Sequence, residues 1–376
     1  MGKGEQPVLH LGGVDVSPGE VGFIPEKVDQ LDAYFLRLVE QEKVQCASYL
    51  LARYGKVFAC KSMGGLSAFD DSTDFMPDSI RQVYSITKAF TAIAILRLVE
   101  EGKIYLEQPV ASIIEEFDTP IHRSILILHL LTHTSGICPD PGYYCEPYPR
   151  DGWGSGNDAN WIKNVLKGPL ACTVGEAWIY SSAGFTILGE IVSRITGVPY
   201  EEYVMQRILA PLDMHRSFFS IPRALLDQVC AVNEWEHKKL REEDQPNRPP
   251  MSAGGLSSTL PNLFRLGQML LNKGTLDGKR AISRKAVEAM TRNQLCGVPA
   301  FYWGAGFKSY AYGLGLHLAI SDLLSPGVFN HEGYGRSCLY VDPAEQFMAI
   351  YFVPSVYEWL PEVTINPRGI IWSGLT

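Results

Sequence analysis

Ser85 and Lys88 begin the strongest predicted helix of the chain, SITKAFTAIAILRLVEE over residues 85–101. Their three-residue spacing places both side chains on one face of a helix. A serine hydroxyl needs an adjacent base to act as a nucleophile, and a lysine with a lowered pKa can be that base. The helix N-terminus adds free backbone N–H groups that stabilise developing negative charge. The pair therefore predicts a serine nucleophile with a lysine base.

The same two residues also have a structural interpretation. Ser85 is a common type of helix N-cap, and an SxxK spacing is expected by chance about once in a chain of this length. Lys88 is harder to explain structurally, because an ammonium in the first turn of a buried helix is costly without partners and opposes the helix dipole. We therefore favour the catalytic interpretation.

Two other segments carry residues suited to the same chemistry. Tyr180 precedes a predicted helix that ends at Gly197, and it can act as a general base if a cation such as Lys88 lowers its pKa. His331 and Gly333 lie between two predicted strands, where glycine allows close approach of a ligand and a backbone N–H can serve an oxyanion hole. Taken singly, a packed tyrosine and a hairpin turn are the simpler interpretations.

The other histidines and the cysteines carry weaker signals. His129 and His133 have a spacing that can bind zinc, but no acidic third ligand is evident, so we interpret both as structural and expect no metal. The eight cysteines form no CxxC pair, and no secretory signal is evident, which predicts reduced thiols in a cytoplasmic protein. Cys138 and Cys145 are close enough in sequence to pair, but we expect both to be reduced.

Composition and charge restrict the possible functions. The chain has 376 residues, of which 46% are hydrophobic and 20% charged, as expected of a globular protein. Its formal net charge of −8 argues against nucleic acid or an anionic membrane as a partner. No stretch is apolar over the roughly 18 residues that a membrane span needs. A small-molecule substrate is the expected partner, and the oligomeric state is left open.

The elements that must position these residues come from both ends of the chain. Residues 24–43 have the spacing of an amphipathic helix, and 47–53 and 56–61 form a predicted hairpin. Four β-prone runs follow residue 300, within 310–320, 327–333, 336–342 and 347–355. One antiparallel sheet built from both ends, with a mostly helical insertion between them, is the economical arrangement. The predicted fold class is α+β.

This arrangement predicts three parts. Residues 1–23 are an N-terminal extension, 24–84 with 300–376 form the sheet domain, and 85–299 form the mostly helical domain. The charged run 234–250 is predicted to be a solvated loop without a function of its own.

Five segments, taken in order, resemble the serine β-lactamase-like superfamily. The similar branch comprises class C β-lactamases, penicillin-binding DD-peptidases and family VIII-type serine esterases. The segments are Ser85–Lys88 with the apolar helix that follows, LLTHTSG at 130–136, Tyr180-Ser181-Ser182, MSAGGLSS at 251–258, and His331-Glu332-Gly333. The resemblance covers residues 25–355 and implies a sheet flanked by helices, a helical domain, and a site between them.

The resemblance also implies roles for single residues. Ser85 would be acylated by the substrate, and Lys88 and Tyr180 would share the work of the base. The backbone N–H groups of Ser85 and Tyr334 would form the oxyanion hole. No metal or organic cofactor is implied.

Two positions depart from the family's pattern. His331 stands where β-lactamases and DD-peptidases usually carry lysine, and Ser182 stands where asparagine is usual. A histidine is mostly neutral at pH 7, and a hydroxyl lacks the paired donor and acceptor of an amide. Both changes disfavour β-lactams and peptides that bear a carboxylate. They are frequent in the esterase and acyltransferase branches.

The resemblance implies that the loop 138–160 lies near the mouth of the cleft. Four aromatic residues of this loop can then form a wall against an apolar acyl or alcohol group of the substrate. They are Tyr143, Tyr144, Tyr148 and Trp153. An ordinary packed surface loop is the equal alternative.

The resulting hypothesis is a cytoplasmic serine hydrolase that cleaves carboxylic esters, with Ser182, His331 and Gly333 binding substrate. An amidase or D-aminopeptidase, an acyltransferase, and a weak β-lactamase would use the same catalytic residues and stay open. A catalytically inactive binding or sensor protein on this scaffold is the alternative from another class.

Overall fold

The computed structural model describes residues 8–67, 70–140, 159–239, 248–302, 305–307, 310–319, 323–355 and 360–376. In chain order, its strands are β1 (Leu9–Leu11), β2 (Cys46–Arg53), β3 (Lys56–Ser67), β4 (Asp70–Asp74), β5 (Ile80–Gln82), β6 (Trp178–Ile179), β7 (Val229–Cys230), β8 (Ser257–Ser258), β9 (Thr275–Leu276), β10 (Lys279–Arg280), β11 (Ala300–Tyr302), β12 (Ala305–Phe307), β13 (His317–Leu318), β14 (Phe329–Gly333), β15 (Ser337–Asp342) and β16 (Phe347–Phe352). Its α-helices are α1 (Pro25–Glu40), α2 (Thr87–Glu100), α3 (Ile127–Leu131), α4 (Trp161–Val165), α5 (Ser182–Thr196), α6 (Tyr200–Val204), α7 (Glu234–Lys239), α8 (Leu260–Leu271), α9 (Arg284–Met290) and α10 (Pro361–Trp372).

The main sheet joins strands from the two ends of the chain. Its order is β1-β3-β2-β16-β15-β14-β13, with β4 paired to β3, and every pairing is antiparallel. The contact between β2 and β16 joins the N-terminal strands to the C-terminal strands. The predicted α+β class and the sheet made from both ends of the chain are therefore confirmed.

Both faces of this sheet are covered, because side chains of successive strand residues point to opposite sides. In β2, Tyr49 and Leu51 join a core beneath α1 and α10, whereas Leu50 and Ala52 join the core that contains α2 and α8. A strand buried on both faces is apolar throughout rather than alternating. This explains why β2 is buried over its whole length.

Two predicted helices are confirmed close to their expected ends. Helix α1 lies within the predicted range 24–43, and α5 ends at Gly197, whose left-handed φ of +74° closes the helix. Helix α2 is buried around most of its circumference, as its apolar composition predicted. Within the described part of the chain, every helix is too short or too polar to cross a bilayer.

The prediction that 234–250 is a solvated loop is wrong for its first part. Residues Glu234–Lys239 form helix α7, and the side chain of Glu236 is only 6% exposed. The reason is Arg81 on β5, which is 1% exposed and forms a two-pronged ion pair with Glu236 at 2.6 and 3.0 Å. A charge run with a buried partner elsewhere in the chain cannot be distinguished from a solvated one by composition.

Candidate active site

Ser85 lies in a single 3-10 turn, Tyr84–Ile86, which connects β5 to α2 and is called the nucleophile turn below. Tyr84 has a left-handed backbone with a φ of +46°, which bulky L-residues rarely adopt, so the chain turns sharply just before Ser85. Lys88 follows in the first turn of α2, and its Nζ lies 3.0 Å from Ser85 Oγ. The structure therefore brings the predicted pair within hydrogen-bonding distance.

The surroundings of Lys88 favour its neutral form. Its side chain is completely buried, and Nζ donates to the carbonyl oxygen of Ala253 at 2.7 Å and to Ser182 Oγ at 3.2 Å. Nζ also lies 4.8 Å from the centre of the Tyr180 ring. Burial lowers the pKa of Lys88 to about 7, against an opposing effect of the Asp140 carboxylate. Much of the amine is therefore neutral at pH 7 and able to accept a proton.

Tyr180 lies between Lys88 and His133, with its ring centre 4.3 Å from that of His133. The backbone N–H of Ser181 donates to His133 Nδ1 at 3.1 Å, so the chain next to Tyr180 is tied to this imidazole. Burial lowers the pKa of His133 well below its usual value, so the ring is neutral. His133 thus supports the Tyr180 segment, in keeping with the structural interpretation of this residue.

Asp140 is a member of the site that sequence reasoning missed. Its carboxylate accepts hydrogen bonds from the backbone N–H of Ser182 at 2.8 Å and from Ser182 Oγ at 2.6 Å. Its own N–H donates to the carbonyl oxygen of Tyr180 at 2.9 Å. Burial raises the pKa of Asp140, whereas Lys88 and the bonds from Ser182 hold it down. The available signal was that Asp140 is the first charge after the uncharged stretch 124–139.

His331 stands in β14 with a fully buried side chain, and its Nδ1 lies 2.9 Å from the carbonyl oxygen of Glu332. Its ring centre is 5.0 Å from that of His317 on β13, whose Nδ1 lies 2.6 Å from the hydroxyl of Tyr310. Burial lowers the pKa of His317 to about 3 and that of His331 well below its usual value. Two neutral imidazoles therefore occupy this part of the site.

Sequence reasoning did not single out His317, although it lies in a predicted β-prone run. The pairing of β13 with β14 brings it beside His331, and this pairing cannot be predicted from the local sequence pattern.

The turn between β14 and β15 lies against the nucleophile turn. A Cβ atom on Gly333 would come within 2.3 Å of the carbonyl oxygen of Val83, so only glycine permits this approach. Ser337 Oγ donates to the same carbonyl at 2.9 Å, and the rings of Tyr84 and Tyr334 are 5.9 Å apart. The turn that contains Tyr334 is thereby packed against the nucleophile turn, and the role of the Tyr334 N–H in an oxyanion hole stays a prediction.

The four aromatic residues predicted to line the cleft mouth lie within 141–158, outside the described residues. They are Tyr143, Tyr144, Tyr148 and Trp153, and their role stays a prediction. Cys145 lies in the same segment, whereas Cys138 is a buried free thiol.

Comparisons with known proteins agree with this architecture. The family model named Beta-lactamase matches residues 31–364. Protein Rv1367c of Mycobacterium tuberculosis is 28% identical over 351 residues, which cover 82% of this chain and 84% of that protein. Esterase EstB of Burkholderia gladioli is 30% identical over 200 residues, which cover 49% of this chain and 50% of that protein.

The solved structure of the octameric penicillin-binding protein homologue from Pyrococcus abyssi is similar to this chain, with a TM-score of 0.70 and 25% sequence identity. The similarity covers 92% of this chain and 76% of that one. The resemblance inferred from five short segments is confirmed over most of the sequence. Because the family model matches far more than half of its residues, the chain belongs to the beta-lactamase family of serine hydrolases.

Proposed function

We propose that this protein cleaves uncharged carboxylic esters through an acyl-enzyme formed on Ser85. The observation that carries the proposal is the 3.0 Å contact between Ser85 Oγ and the Nζ of a fully buried Lys88, whose pKa is lowered to about 7. A general base is most effective when its pKa lies near the working pH. Membership of the family and the similarity to an esterase support the same chemistry.

Acylation begins when neutral Lys88 takes the hydroxyl proton of Ser85 as Oγ attacks the carbonyl carbon of the ester. The backbone N–H groups of Ser85 and Tyr334 stabilise the oxyanion of the tetrahedral intermediate. Collapse of that intermediate breaks the bond to the alcohol oxygen, which leaves with the proton carried by Lys88. Tyr180, which packs against the ammonium, shares this proton transfer.

Deacylation uses the same groups in the opposite sense. Lys88 with Tyr180 removes a proton from water as the water oxygen attacks the acyl carbon, and the bond to Ser85 Oγ breaks. The proton returns to Ser85, and the carboxylic acid is released. One ester and one water are thus converted into one acid and one alcohol.

The preference for an uncharged substrate follows from His331 and Ser182. A neutral imidazole at position 331 offers a substrate carboxylate no fixed positive charge. The hydroxyl of Ser182 is already engaged with Asp140 and Lys88, so it offers little to a peptide amide. An uncharged ester requires neither a positive charge nor a partner for a peptide amide, because its reacting carbonyl oxygen is bound by the oxyanion hole.

The test is intact-protein mass after incubation with a fluorophosphonate, together with turnover of a p-nitrophenyl ester and of a chromogenic cephalosporin. We expect a single adduct and ester turnover with wild type, both absent in Ser85→Ala and both retained in the control Ser112→Ala, which removes an exposed hydroxyl. Cephalosporin turnover as efficient as ester turnover would overturn the preference for uncharged esters. Absence of both adduct and turnover would indicate an inactive binding scaffold.

Product analysis then separates the three reactions that share these residues. Adding a competing alcohol or amine should leave the carboxylic acid as the main product of a hydrolase. Transfer of the acyl group to the added nucleophile would instead indicate an acyltransferase, and faster cleavage of matched amides would indicate an amidase.

A further inference from the structure

We propose that Asp140 is a positioning residue that directs the lone pair of neutral Lys88 toward Ser85, an inference that rests on the proposed function of that pair. Asp140 lies in the segment that follows α3 and faces the start of α5. Nothing in the family resemblance pointed to this residue. Around Lys88, some atoms can donate a hydrogen bond and others can only accept one, and this difference orients the amine.

The carboxylate of Asp140 can only accept. Both of its oxygens are engaged by Ser182, Oδ1 by the backbone N–H at 2.8 Å and Oδ2 by the hydroxyl at 2.6 Å. The single hydroxyl proton of Ser182 is therefore committed to Asp140. What Ser182 Oγ offers to Lys88, 3.2 Å away, is a lone pair.

This orientation determines the direction of the lysine lone pair. Neutral Lys88 has two N–H bonds, and two neighbours of Nζ can act only as acceptors, Ser182 Oγ at 3.2 Å and the carbonyl oxygen of Ala253 at 2.7 Å. With both N–H bonds donated there, the lone pair is left for the third neighbour, Ser85 Oγ at 3.0 Å. That is the direction in which the base must accept a proton.

Asp140 also anchors the backbone that carries the other members of the site. Its N–H donates to the carbonyl oxygen of Tyr180, and its carboxylate accepts from the N–H of Ser182. Asp140 therefore forms hydrogen bonds with both ends of the tripeptide 180–182. Two residues earlier, the carbonyl oxygen of Cys138 accepts from Ser181 Oγ at 3.0 Å. The position of Tyr180 over Lys88 therefore depends on the segment 138–140.

The charge of Asp140 has a second consequence for Lys88. Among the described residues, the titratable groups that face the ammonium are the phenol of Tyr180, the Asp140 carboxylate, and the imidazoles of His133, His317 and His331. All three imidazoles are neutral at pH 7, and the Phe185 ring, 5.6 Å from Nζ, carries no charge. Asp140 acts against the burial that lowers the pKa of Lys88. Removing its charge should lower that pKa further.

The test compares Asp140→Asn, Asp140→Glu and the control Asp118→Asn, which neutralises an exposed carboxylate away from the site. The titration of Lys88 is followed by NMR of ε-¹³C-labelled lysine, with the resonance assigned from Lys88→Met. The rate of Ser85 labelling by a fluorophosphonate is measured over the same pH range by intact-protein mass. Circular dichroism checks that each variant is folded.

With Asp140→Asn, we expect the Lys88 midpoint to move to lower pH and the labelling rate at its high-pH plateau to fall by about 10–100-fold, the range found when a residue that orients a metal ligand is removed. The amide would donate to Ser182 Oγ and release the hydroxyl proton to compete for the lysine lone pair. Asp140→Glu keeps the charge, so the midpoint should stay near that of wild type while the plateau falls. Asp118→Asn should change neither.

An Asp140→Asn protein with a wild-type midpoint and a wild-type plateau would overturn the proposal. A lower plateau with an unmoved midpoint would also overturn it, because a merely structural defect gives that result. Failure of wild type to react with the fluorophosphonate would contradict the proposed function instead, and the NMR midpoints would still decide whether Asp140 acts on Lys88. If Asp140→Asn does not fold, Ser182→Ala replaces it, and an undiminished plateau in that variant would overturn the proposal.

Discussion

Two buried basic side chains, Arg81 and Lys88, lie on either side of the nucleophile turn and have opposite surroundings. Arg81 faces the carboxylate of Glu236 at 2.6 and 3.0 Å and also donates to the carbonyl oxygens of Cys230 and Gly335. Lys88 contacts two hydroxyls and a carbonyl. Burial acts to lower the pKa of both, but Glu236 outweighs it at Arg81, whose pKa is raised, whereas that of Lys88 falls to about 7.

Burying a basic side chain therefore has two different outcomes in this protein. Arg81 stays charged and stabilises the fold, whereas Lys88 can lose its proton and act as a base. A directly paired guanidinium keeps its charge at any physiological pH, and Arg81 uses it to join β5, α7 and the turn after β14. A Cβ atom on Gly335 would come within 2.5 Å of the Arg81 guanidinium, so this turn is closely packed against it. Lys88 is separated from the Asp140 carboxylate by the hydroxyl of Ser182, which bonds to both groups. Without direct pairing to a carboxylate, the ammonium can lose its proton.

The largest expected effect is the loss of activity in Lys88→Met. Removing a general base costs about 10²–10⁴-fold in rate, so kcat/KM for a p-nitrophenyl ester should fall by that factor. Stability should hold or rise, because among the described residues no carboxylate bonds directly to this buried amine, and an apolar side chain of similar length replaces it. Esterase assays and thermal unfolding measured together check this. Activity near that of wild type would contradict the role of Lys88 as the base.

The matching change at the other cation, Arg81→Met, should act mainly on stability. It leaves Glu236 buried without its partner, a situation that costs about 3–5 kcal/mol. Urea unfolding gives this value, and Arg123→Met is the control, because Arg123 and Asp118 form an exposed pair that should contribute about 1 kcal/mol or less. Equal losses of unfolding free energy in the two variants would mean that the buried ion pair contributes no more to stability than the exposed one.

These two predictions also show what the sequence could and could not reveal. Lys88 was recognisable because a charge in an apolar helix has no local explanation. Arg81 and Glu236 are 155 residues apart, and each stands in an ordinary polar context, so nothing local marked them as a buried pair. The apolar strands and helices were predictable for a related reason, since periodicity and composition are properties of short segments.

The same distinction holds within the site. Ser85 and Lys88 could be proposed because they begin a recognisable helix, and Tyr180 could be proposed because five ordered segments resemble the superfamily. Asp140 and His317 reach the site through loop conformation and strand pairing, which depend on contacts between distant segments. Polar residues that act through another side chain are therefore the hardest to predict from a single sequence.

A smaller effect is expected when both members of the buried ion pair are replaced. Replacing Glu236 as well, in Arg81→Met with Glu236→Met, removes the orphaned carboxylate, and apolar substitutes for a buried ion pair are often well tolerated. The double variant should regain about 1–3 kcal/mol relative to Arg81→Met alone. Its kcat should nevertheless stay below that of wild type, because the Tyr84 hydroxyl, which donates to Glu236, and the Gly335 carbonyl both lose their partners. Recovery of both quantities would show that Arg81 does not position the nucleophile turn.

The last prediction is specific to Lys88 and concerns the pH dependence of the rate and of the stability. Because the neutral amine is the base, kcat/KM for a non-ionising ester should fall about tenfold for each pH unit below the lysine pKa of about 7. The same group affects stability in a defined direction. Its pKa is about 7 in the folded chain and has an ordinary value of 10.5, so between these values the unfolded chain binds more protons and the stability contributed by Lys88 rises with pH.

Arg81, whose pKa is raised rather than lowered, should contribute no such dependence in this range. Urea unfolding of wild type and Lys88→Met, measured from about pH 7 to about pH 10, isolates the contribution of Lys88 as the difference between the two curves. That difference should move steadily in favour of wild type as the pH rises. A constant difference, together with a rate that is flat below pH 7, would mean that Lys88 is held as a permanent cation like Arg81 and is not the base.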